Sequence, residues 1–310
     1  MRQRELDIKS NDNTLFVTEQ CNNRCIMCCQ PPKKVDDIDI LFAQNIERIK
    51  SAPKDLPIIG ITGGEPTLLG DKLIELVRLI REELPNTDIH ILSNGRNFKD
   101  IYYAKKVIEA GDNRLILGIP LHSDYEGDHD IIAGAKGAYN ETILGLYNLA
   151  MQGACIELRI VMNSLNYNRF LPMAEYIHKN LSFVAWTAFM GMERTGYADK
   201  RSDKIWIEPI EYVSQLGDAV HFLDDWHHEV AIYNIPLCLL PSDLHGFAKK
   251  SISDWKNYYP EQCEGCLLKE QCCGLFSTSS IEYEGLSSIF KRCYEDTSSK
   301  DIRGYNIKTI

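Results

Sequence analysis

Short runs of β-branched and other apolar residues alternate with stretches of helical periodicity, from residue 14 to about residue 190. The helical stretches repeat apolar residues three or four positions apart, as in Phe42, Ile46 and Ile49, which gives each helix one apolar face. Alternating strands and helices predict a parallel sheet, because each helix returns the chain to the edge of the sheet where the next strand begins. The predicted strands are Thr14–Glu19, Pro57–Thr62, Asp88–Ser93, Arg114–Leu121, Ile156–Met162 and Phe183–Phe189.

Six strand–helix units are too few to close an eight-stranded barrel, so the pattern predicts an α/β fold built as an open, partial parallel β/α barrel. In such a fold the functional site lies at the carboxyl ends of the strands, where the loops collect. The rhythm changes near residue 200, where a predicted helix (Glu208–Trp226) and strand (Glu229–Asn234) precede a cysteine-rich tail. We therefore predict a core domain over residues 1–200, a connection over 201–235 and a small cysteine-rich subdomain over 236–310.

Composition narrows the class of protein. The 310 residues are 44% hydrophobic, enough for a large core, and the formal net charge of −10 disfavours a nucleic-acid partner. No apolar run is long enough for a membrane span, and the N-terminal residues have no apolar segment of a secretory signal. Eleven cysteines in such a chain indicate metal or redox ligands in a reducing compartment, so we expect a cytoplasmic protein.

Three cysteines directly after the first predicted strand carry the strongest chemical signal. Cys21, Cys25 and Cys28 form a C-x3-C-x2-C triplet. Three thiolates can hold three corners of a cubane iron–sulfur cluster and leave the fourth iron open to a substrate or cofactor. A structural zinc site would use four ligands, and three unrelated thiols are the other alternative. The triplet therefore points to chemistry at an open iron.

This triplet resembles the signature of the radical S-adenosylmethionine (SAM) enzymes, although Met27 stands where that family usually has an aromatic residue. The resemblance implies that a 4Fe–4S cluster binds SAM and that reductive cleavage yields a 5′-deoxyadenosyl radical, which takes a hydrogen atom from the substrate. The run Gly63-Gly64-Glu65-Pro66 follows the second predicted strand and resembles the family's GGEP segment. That likeness implies that these four residues bind the amino group of SAM; an ordinary turn is the alternative.

Further candidates follow the later predicted strands. By the same resemblance, Asn94 and Ser123 line the SAM pocket, with a turn as the alternative for Asn94. Arg159 lies in an apolar strand and needs a partner, for which the SAM carboxylate or Glu157 are the alternatives. We interpret His122 as a packed loop histidine, and Glu193 as a solvated loop charge rather than a substrate contact.

A second group of cysteines lies in the tail with the spacing C-x2-C-x5-C. This spacing resembles the SPASM or twitch extension of many peptide-modifying radical SAM enzymes, which implies one auxiliary 4Fe–4S cluster. The fourth ligand is open between Cys238, which we favour, and Cys293, and a zinc site is the alternative to iron and sulfur. Cys29 and Cys273 are interpreted as spare thiols. The tail cysteines are Cys263, Cys266 and Cys272.

The tail sequence from Asp254 to Ser277 resembles the His-Xaa-Ser system radical SAM maturases of the HxsC type. This resemblance implies a small gene-encoded peptide as substrate and an external electron donor such as flavodoxin or ferredoxin. A radical SAM enzyme that acts on a small molecule or nucleotide is the second hypothesis. A non-catalytic iron–sulfur or zinc protein is the third, and it leaves the run Gly63–Thr67 unexplained.

Overall fold

The computed structural model describes residues 4–10, 12–279, 283 and 286. Strands and helices alternate through the first two thirds of this range, with short 3-10 turns between them. The strands are β1 (Thr14–Phe16), β2 (Ile58–Thr62), β3 (Asp88–Leu92), β4 (Leu115–Pro120), β5 (Cys155–Val161), β6 (Trp186–Met190), β7 (Val230–Tyr233), β8 (Ala248–Lys249), β9 (Asn257–Tyr258) and β10 (Leu275–Phe276). The helices are α1 (Ile38–Lys50), α2 (Asp71–Glu83), α3 (Ile101–Gly111), α4 (Glu126–Ala133), α5 (Ala138–Met151), α6 (Phe170–Asn180), α7 (Gly196–Lys200), α8 (Ser202–Ile205) and α9 (Pro209–Asp225).

Strands β1 to β8 form one sheet in which every strand pairs in parallel with its neighbours in the sequence. This confirms the predicted parallel α/β architecture and its six strand–helix units, to which β7 and the two-residue β8 are added. The first strand ends earlier than predicted for a local reason. Thr18 Oγ1 and the Glu19 N–H donate to the Asp37 carboxylate at 2.7 and 2.8 Å, which draws the chain away from the sheet.

The two faces of the sheet have different surroundings. Side chains on the outer face, such as Ile61, Ile91, Leu117 and Leu158, are completely buried against the helices. The alternate positions on the other face, which we call the inner face, are mostly only partly buried. Sequential strand order and helices on one face are the features of a β/α barrel segment, whereas a doubly wound sheet is covered on both faces. Inner-face residues include Thr14, Gly60, His90, Gly118, Glu157, Arg159, Trp186, Met190 and Tyr233.

The cysteine-rich tail extends from one side of the open sheet to the other. Trp255 Nε1 donates to Asp12, just before β1, at 2.7 Å, and Lys256 Nζ lies 2.8 Å from Glu193, after β6. The Thr278 hydroxyl also donates to Glu193, at 2.6 Å, and the Glu193 side chain is only 16% exposed. The interpretation of Glu193 as a solvated charge was therefore wrong, because Lys256 and Thr278 come from the distant tail. Within the described ranges, no helix has both the length and the apolar character that a membrane crossing requires.

Two histidines are buried side by side beyond the end of β4. The ring centroids of His122 and His129 are 5.0 Å apart. The backbone N–H of His122 donates to Nδ1 of His129 at 3.2 Å. Burial, with the nearby His129, lowers the pKa of His122 well below its ordinary value. Burial, with the charge of Arg96, lowers the pKa of His129 to about 4. His122 is thus a packed histidine, as predicted, and both imidazoles are neutral near pH 7.

These histidines predict a loss of stability in mild acid. A histidine in the unfolded chain takes up its proton near pH 6.5, whereas folded His129 does so only near pH 4. The unfolded state binds more protons between these values, so the free energy of unfolding falls as the pH falls through that window. Between pH 7 and pH 5 we expect His129 alone to remove about 2 kcal/mol.

Urea unfolding of His129→Asn beside wild type, at equal iron content, measures this contribution. The asparagine amide oxygen can still accept from the His122 N–H, so the variant should show a shallower dependence of unfolding free energy on pH. Equal slopes for the two proteins would contradict the assignment.

Candidate metal and cofactor site

The cysteine triplet lies in the loop between β1 and α1, at the carboxyl edge of the sheet where the site was expected. Cys21, Cys25 and Cys28 are all partly buried. Burial raises the pKa of Cys21 to about 11 and those of Cys25 and Cys28 to about 12. The charges of Cys28 and Cys21 further raise the pKa of Cys25, so the three thiols lie within electrostatic reach of one another.

These thiols are not poised as free nucleophiles, and their spacing is that of cluster ligands. Free thiols with such high pKa values stay protonated at neutral pH, and binding of a metal is what removes the protons. Among the described residues, no three His, Cys, Asp or Glu side chains converge as ligands of a single metal ion. In a cubane cluster each thiolate binds a different iron.

Arg96 holds this loop from the side of β3. Its Nη1 donates to the Asn22 carbonyl and to Asn23 Oδ1, both at 2.7 Å, while Nε donates to Glu141 at 2.7 Å. On the other side of the loop, the backbone N–H of Arg24 donates to the carbonyl of Ala133 at 3.0 Å. We did not predict the role of Arg96 from the sequence. Its place two residues beyond Asn94, in a segment already assigned to the site, was the available signal.

The paired glycines after β2 lie against the cysteine loop. The Gly64 N–H donates to the Thr18 carbonyl at 2.6 Å, and the Glu65 N–H donates to the Gln20 carbonyl at 2.7 Å. A Cβ atom on Gly64 would lie 2.0 Å from that Gln20 carbonyl oxygen, so no side chain fits. The sequence resemblance assigns these glycines to the binding of SAM. What requires glycine in the structure is the close approach of two backbone segments.

The Glu65 carboxylate connects the ends of β2 and β3. It is completely buried and accepts hydrogen bonds from the Thr67 hydroxyl (2.6 Å), the Ser93 hydroxyl (2.7 Å) and the Asn94 N–H (2.7 Å). Burial raises the pKa of Glu65, and these hydrogen bonds oppose the rise. The residue after it, Pro66, is buried and begins a 3-10 turn. Glu65 therefore acts as an internal tie between two strand ends.

Two of the other predicted residues also face this edge. Asn94 Nδ2 donates to Asn22 Oδ1 at 2.5 Å and lies 3.9 Å from Cys21 Sγ, which places Asn94 beside the triplet. Ser123 is completely buried, and its hydroxyl accepts from the Tyr125 N–H at 3.1 Å in a local turn.

Arg159 lies on the inner face with its side chain 20% exposed. Its Nε donates to Met190 Sδ at 3.1 Å and is 4.0 Å from Glu157 Oε2. Glu157 was one of the two partners considered for Arg159, and the distance between them, 4.0 Å, is at the upper limit for an ion pair.

The tail cysteines form a separate group. Cys272 Sγ accepts from the backbone N–H groups of Leu237 and Gly274, both at 3.4 Å. A hydrogen bond from the Cys273 thiol, together with those two, lowers the pKa of Cys272 to about 6 despite burial. The Leu237 N–H contact places the residue before the favoured fourth ligand, Cys238, against Cys272. The alternative, Cys293, lies outside the described residues.

The tight packing of Gly64 makes a testable prediction about iron binding. Gly64→Ala would push the Gly63–Glu65 segment away from Gln20 and displace the cysteine loop. We expect anaerobically reconstituted Gly64→Ala to lose the iron held by the triplet, measured as iron per chain and as visible absorbance of the cluster. Gly246→Ala is the matched control, because nothing lies within 4 Å of a Cβ atom there. A wild-type iron content in Gly64→Ala would contradict this account of the loop.

Comparisons with known proteins agree with this geometry. The chain is 31% identical over 155 residues to the Fe-coproporphyrin III synthase of Methanosarcina barkeri, covering 48% of this chain and 36% of that one. It is 29% identical over 169 residues to the probable GTP 3′,8-cyclase of Thermococcus kodakarensis, covering 53% and 52%. These alignments span at most about half of either relative.

A solved structure of native anSMEcpe with bound AdoMet and Cp18Cys peptide covers 91% of this chain and 94% of its own, with a TM-score of 0.59 at 15% identity. At that identity the likeness concerns the fold alone. The sequence model of the radical SAM superfamily matches residues 15–177, more than half of the chain. The chain therefore belongs to the radical SAM superfamily, whose members bind SAM and a 4Fe–4S cluster.

Proposed function

We propose that this protein is an enzyme that reductively cleaves SAM to a 5′-deoxyadenosyl radical and takes a hydrogen atom from a gene-encoded peptide. The observation that carries the proposal is the packing of the Cys21–Cys28 loop against Gly63–Glu65 at the carboxyl edge of an open sheet. Cys21, Cys25 and Cys28 would hold a 4Fe–4S cluster there, and such a cluster would supply the electron for the cleavage of SAM. An external one-electron donor such as flavodoxin or ferredoxin restores that electron.

The proposed roles follow the positions of the residues. Cys21, Cys25 and Cys28 hold the cluster, and the remaining candidates surround SAM. Because Glu65 is fully engaged in the protein, its contribution is to hold the ends of β2 and β3 in place. Arg159 is partly exposed on the inner face and suits the SAM carboxylate. The remaining proposed SAM contacts are Gly63, Gly64, Pro66, Asn94 and Ser123.

The tail is the feature that favours a peptide substrate over a small molecule. Its cysteine spacing and its sequence resemble the SPASM or twitch extension and the HxsC-type maturases, and the anSMEcpe structure of similar fold contains a peptide. We propose a core domain over residues 1–200, a connection over 201–235 and an auxiliary-cluster subdomain over 236–310. One auxiliary 4Fe–4S cluster would be held by Cys238, Cys263, Cys266 and Cys272.

A nucleotide or other small molecule is the second candidate substrate. The likeness to the GTP 3′,8-cyclase of Thermococcus kodakarensis favours it, although that alignment covers only about half of each chain.

Release of 5′-deoxyadenosine tests the proposed activity directly. Anaerobically reconstituted, reduced protein should release it from SAM, and one of the short peptides encoded beside the gene should increase the rate at least tenfold. The control is the variant Cys21/Cys25/Cys28→Ala, which should release none. No release from wild-type protein with a full iron content would contradict the enzymatic proposal. If 5′-deoxyadenosine is released but no peptide accelerates the release, the substrate is a small molecule and not a peptide.

Iron counting tests the auxiliary cluster. Two 4Fe–4S clusters correspond to about eight irons per chain, and we expect Cys272→Ala to retain about four. Cys238→Ala should lose auxiliary iron as well, whereas Cys155→Ala, a cysteine at the start of β5, should keep the wild-type count. A wild-type iron content in Cys238→Ala would mean that another cysteine is the fourth ligand of the auxiliary cluster. If the same samples contain zinc instead of the additional iron, the tail cysteines hold a structural zinc ion and not an auxiliary cluster.

A further inference from the structure

Below Arg159 on the inner face lies a contact between a histidine and a carboxylate that the proposed SAM site does not use. His90 on β3 and Glu157 on β5 meet across β4, with Nε2 and Oε2 2.8 Å apart. A Cβ atom on Gly118 of β4 would lie 3.0 Å from that nitrogen and 3.1 Å from that oxygen. The absence of a side chain at Gly118 therefore allows two residues from non-adjacent strands to touch.

The two partners differ in their access to the inner face. The Glu157 side chain is 1% exposed, whereas the His90 side chain is 23% exposed. A molecule on the inner face can therefore touch the imidazole of His90, while Glu157 acts on that molecule only through the ring.

The pairing fixes which nitrogen of His90 carries the proton. Burial raises the pKa of Glu157, but the contact with His90 and the charge of Arg159 outweigh burial, and the net shift is downward. An ionised carboxylate only accepts hydrogen bonds, so the nitrogen that faces it, Nε2, carries a proton, and in that tautomer of the imidazole Nδ1 is an acceptor. Among the described residues, no group hydrogen-bonds to Nδ1.

The buried polar atoms of this cluster are imperfectly satisfied. His90 Nε2, Glu157 Oε2 and the neighbouring Trp186 Nε1 are buried, and none has a well-aligned hydrogen bond within the described structure. Unsatisfied polar atoms are costly in a protein interior, and a buried ion pair often stabilises less than apolar side chains of the same volume. Polar groups kept at such a cost on an accessible face are typical of binding sites.

We propose that His90 contacts the substrate, accepting through Nδ1 a hydrogen bond from an N–H or O–H group, and that Glu157 positions its ring. The inference rests on the proposed function, which places the substrate on this face. Nε of Arg159, whose guanidinium is assigned above to the SAM carboxylate, lies 4.0 Å from the same Glu157 oxygen, so His90 lies beside the place where SAM would be bound. An acceptor at Nδ1 matches an N–H or O–H group, such as that of a peptide amide, whereas a fully ionised phosphate only accepts hydrogen bonds and does not match Nδ1.

Substitutions at the pair test the contact in the holoenzyme. His90→Gln can still donate to Glu157 through its amide NH2, but its carbonyl oxygen, the only acceptor left, is not held at the Nδ1 position by a ring. Glu157→Gln keeps its shape but no longer fixes the proton on Nε2. With the peptide that accelerates 5′-deoxyadenosine release, we expect His90→Gln to lower kcat/KM for that peptide at least tenfold. The modified peptide formed per 5′-deoxyadenosine should also fall in His90→Gln, and by a smaller factor in Glu157→Gln. The control His221→Gln lies on α9 and should match wild type. Wild-type values of both quantities in His90→Gln would overturn the inference.

A second measurement does not depend on a substrate. Diethyl pyrocarbonate modifies unprotonated histidine nitrogens, and mass spectrometry of the wild-type holoenzyme can locate the modified residues. We expect His90 to react and the buried His122 to stay unmodified. If exposed His227 reacts and His90 does not, Nδ1 is not accessible and the inference fails, whether or not any peptide is a substrate. Failure of the proposed function would instead appear as wild-type holoenzyme that releases no 5′-deoxyadenosine.

Discussion

The contact between the backbones of Gly64 and Gln20 is the constraint on which the candidate site depends. It brings the cysteine loop over the end of β2, where the Glu65 N–H donates to Gln20 at 2.7 Å. The Glu65 carboxylate then fixes the Ser93–Asn94 segment, and Arg96 reaches back from that side to the Asn22 carbonyl. The interactions close a ring that passes through the Gln20–Asn22 segment, which contains Cys21, so we expect a change at any member to displace this part of the cysteine loop.

This ring has a consequence for the metal. It holds Cys21, Cys25 and Cys28 in surroundings that raise their pKa values to about 11 or 12, so the free thiols remain protonated at neutral pH. A cluster must displace those protons, and the free energy of binding is thereby coupled to the correct placement of the loop. The protein supplies the position of the ligands, and the metal supplies the charge that keeps them ionised.

The sequence predicted the features that depend on local pattern. Outer-face positions such as Ile61 and Ile91 repeat with the period of a buried strand, and the spacing of the cysteine triplet is contained in eight residues. It did not predict contacts between distant segments. The pairing of Glu193 with Lys256 depends on how the tail crosses the sheet. The His90–Glu157 pair depends on two strands that meet only across β4, and β8 has two residues, too few for any periodicity.

Arg159 illustrates how the inner face combines structure with binding. A buried or partly buried guanidinium normally has a carboxylate within hydrogen-bond distance. Here Nε faces the weakly accepting sulfur of Met190, and Glu157, at 4.0 Å, is closer to His90 than to Arg159. The Glu157 carboxylate, which also contacts His90, neutralises part of the charge of Arg159 but lies too far away to form hydrogen bonds with its guanidinium. A strand cation arranged in this way is stable without a ligand and can still form a bidentate pair with one, which is what a SAM carboxylate would require.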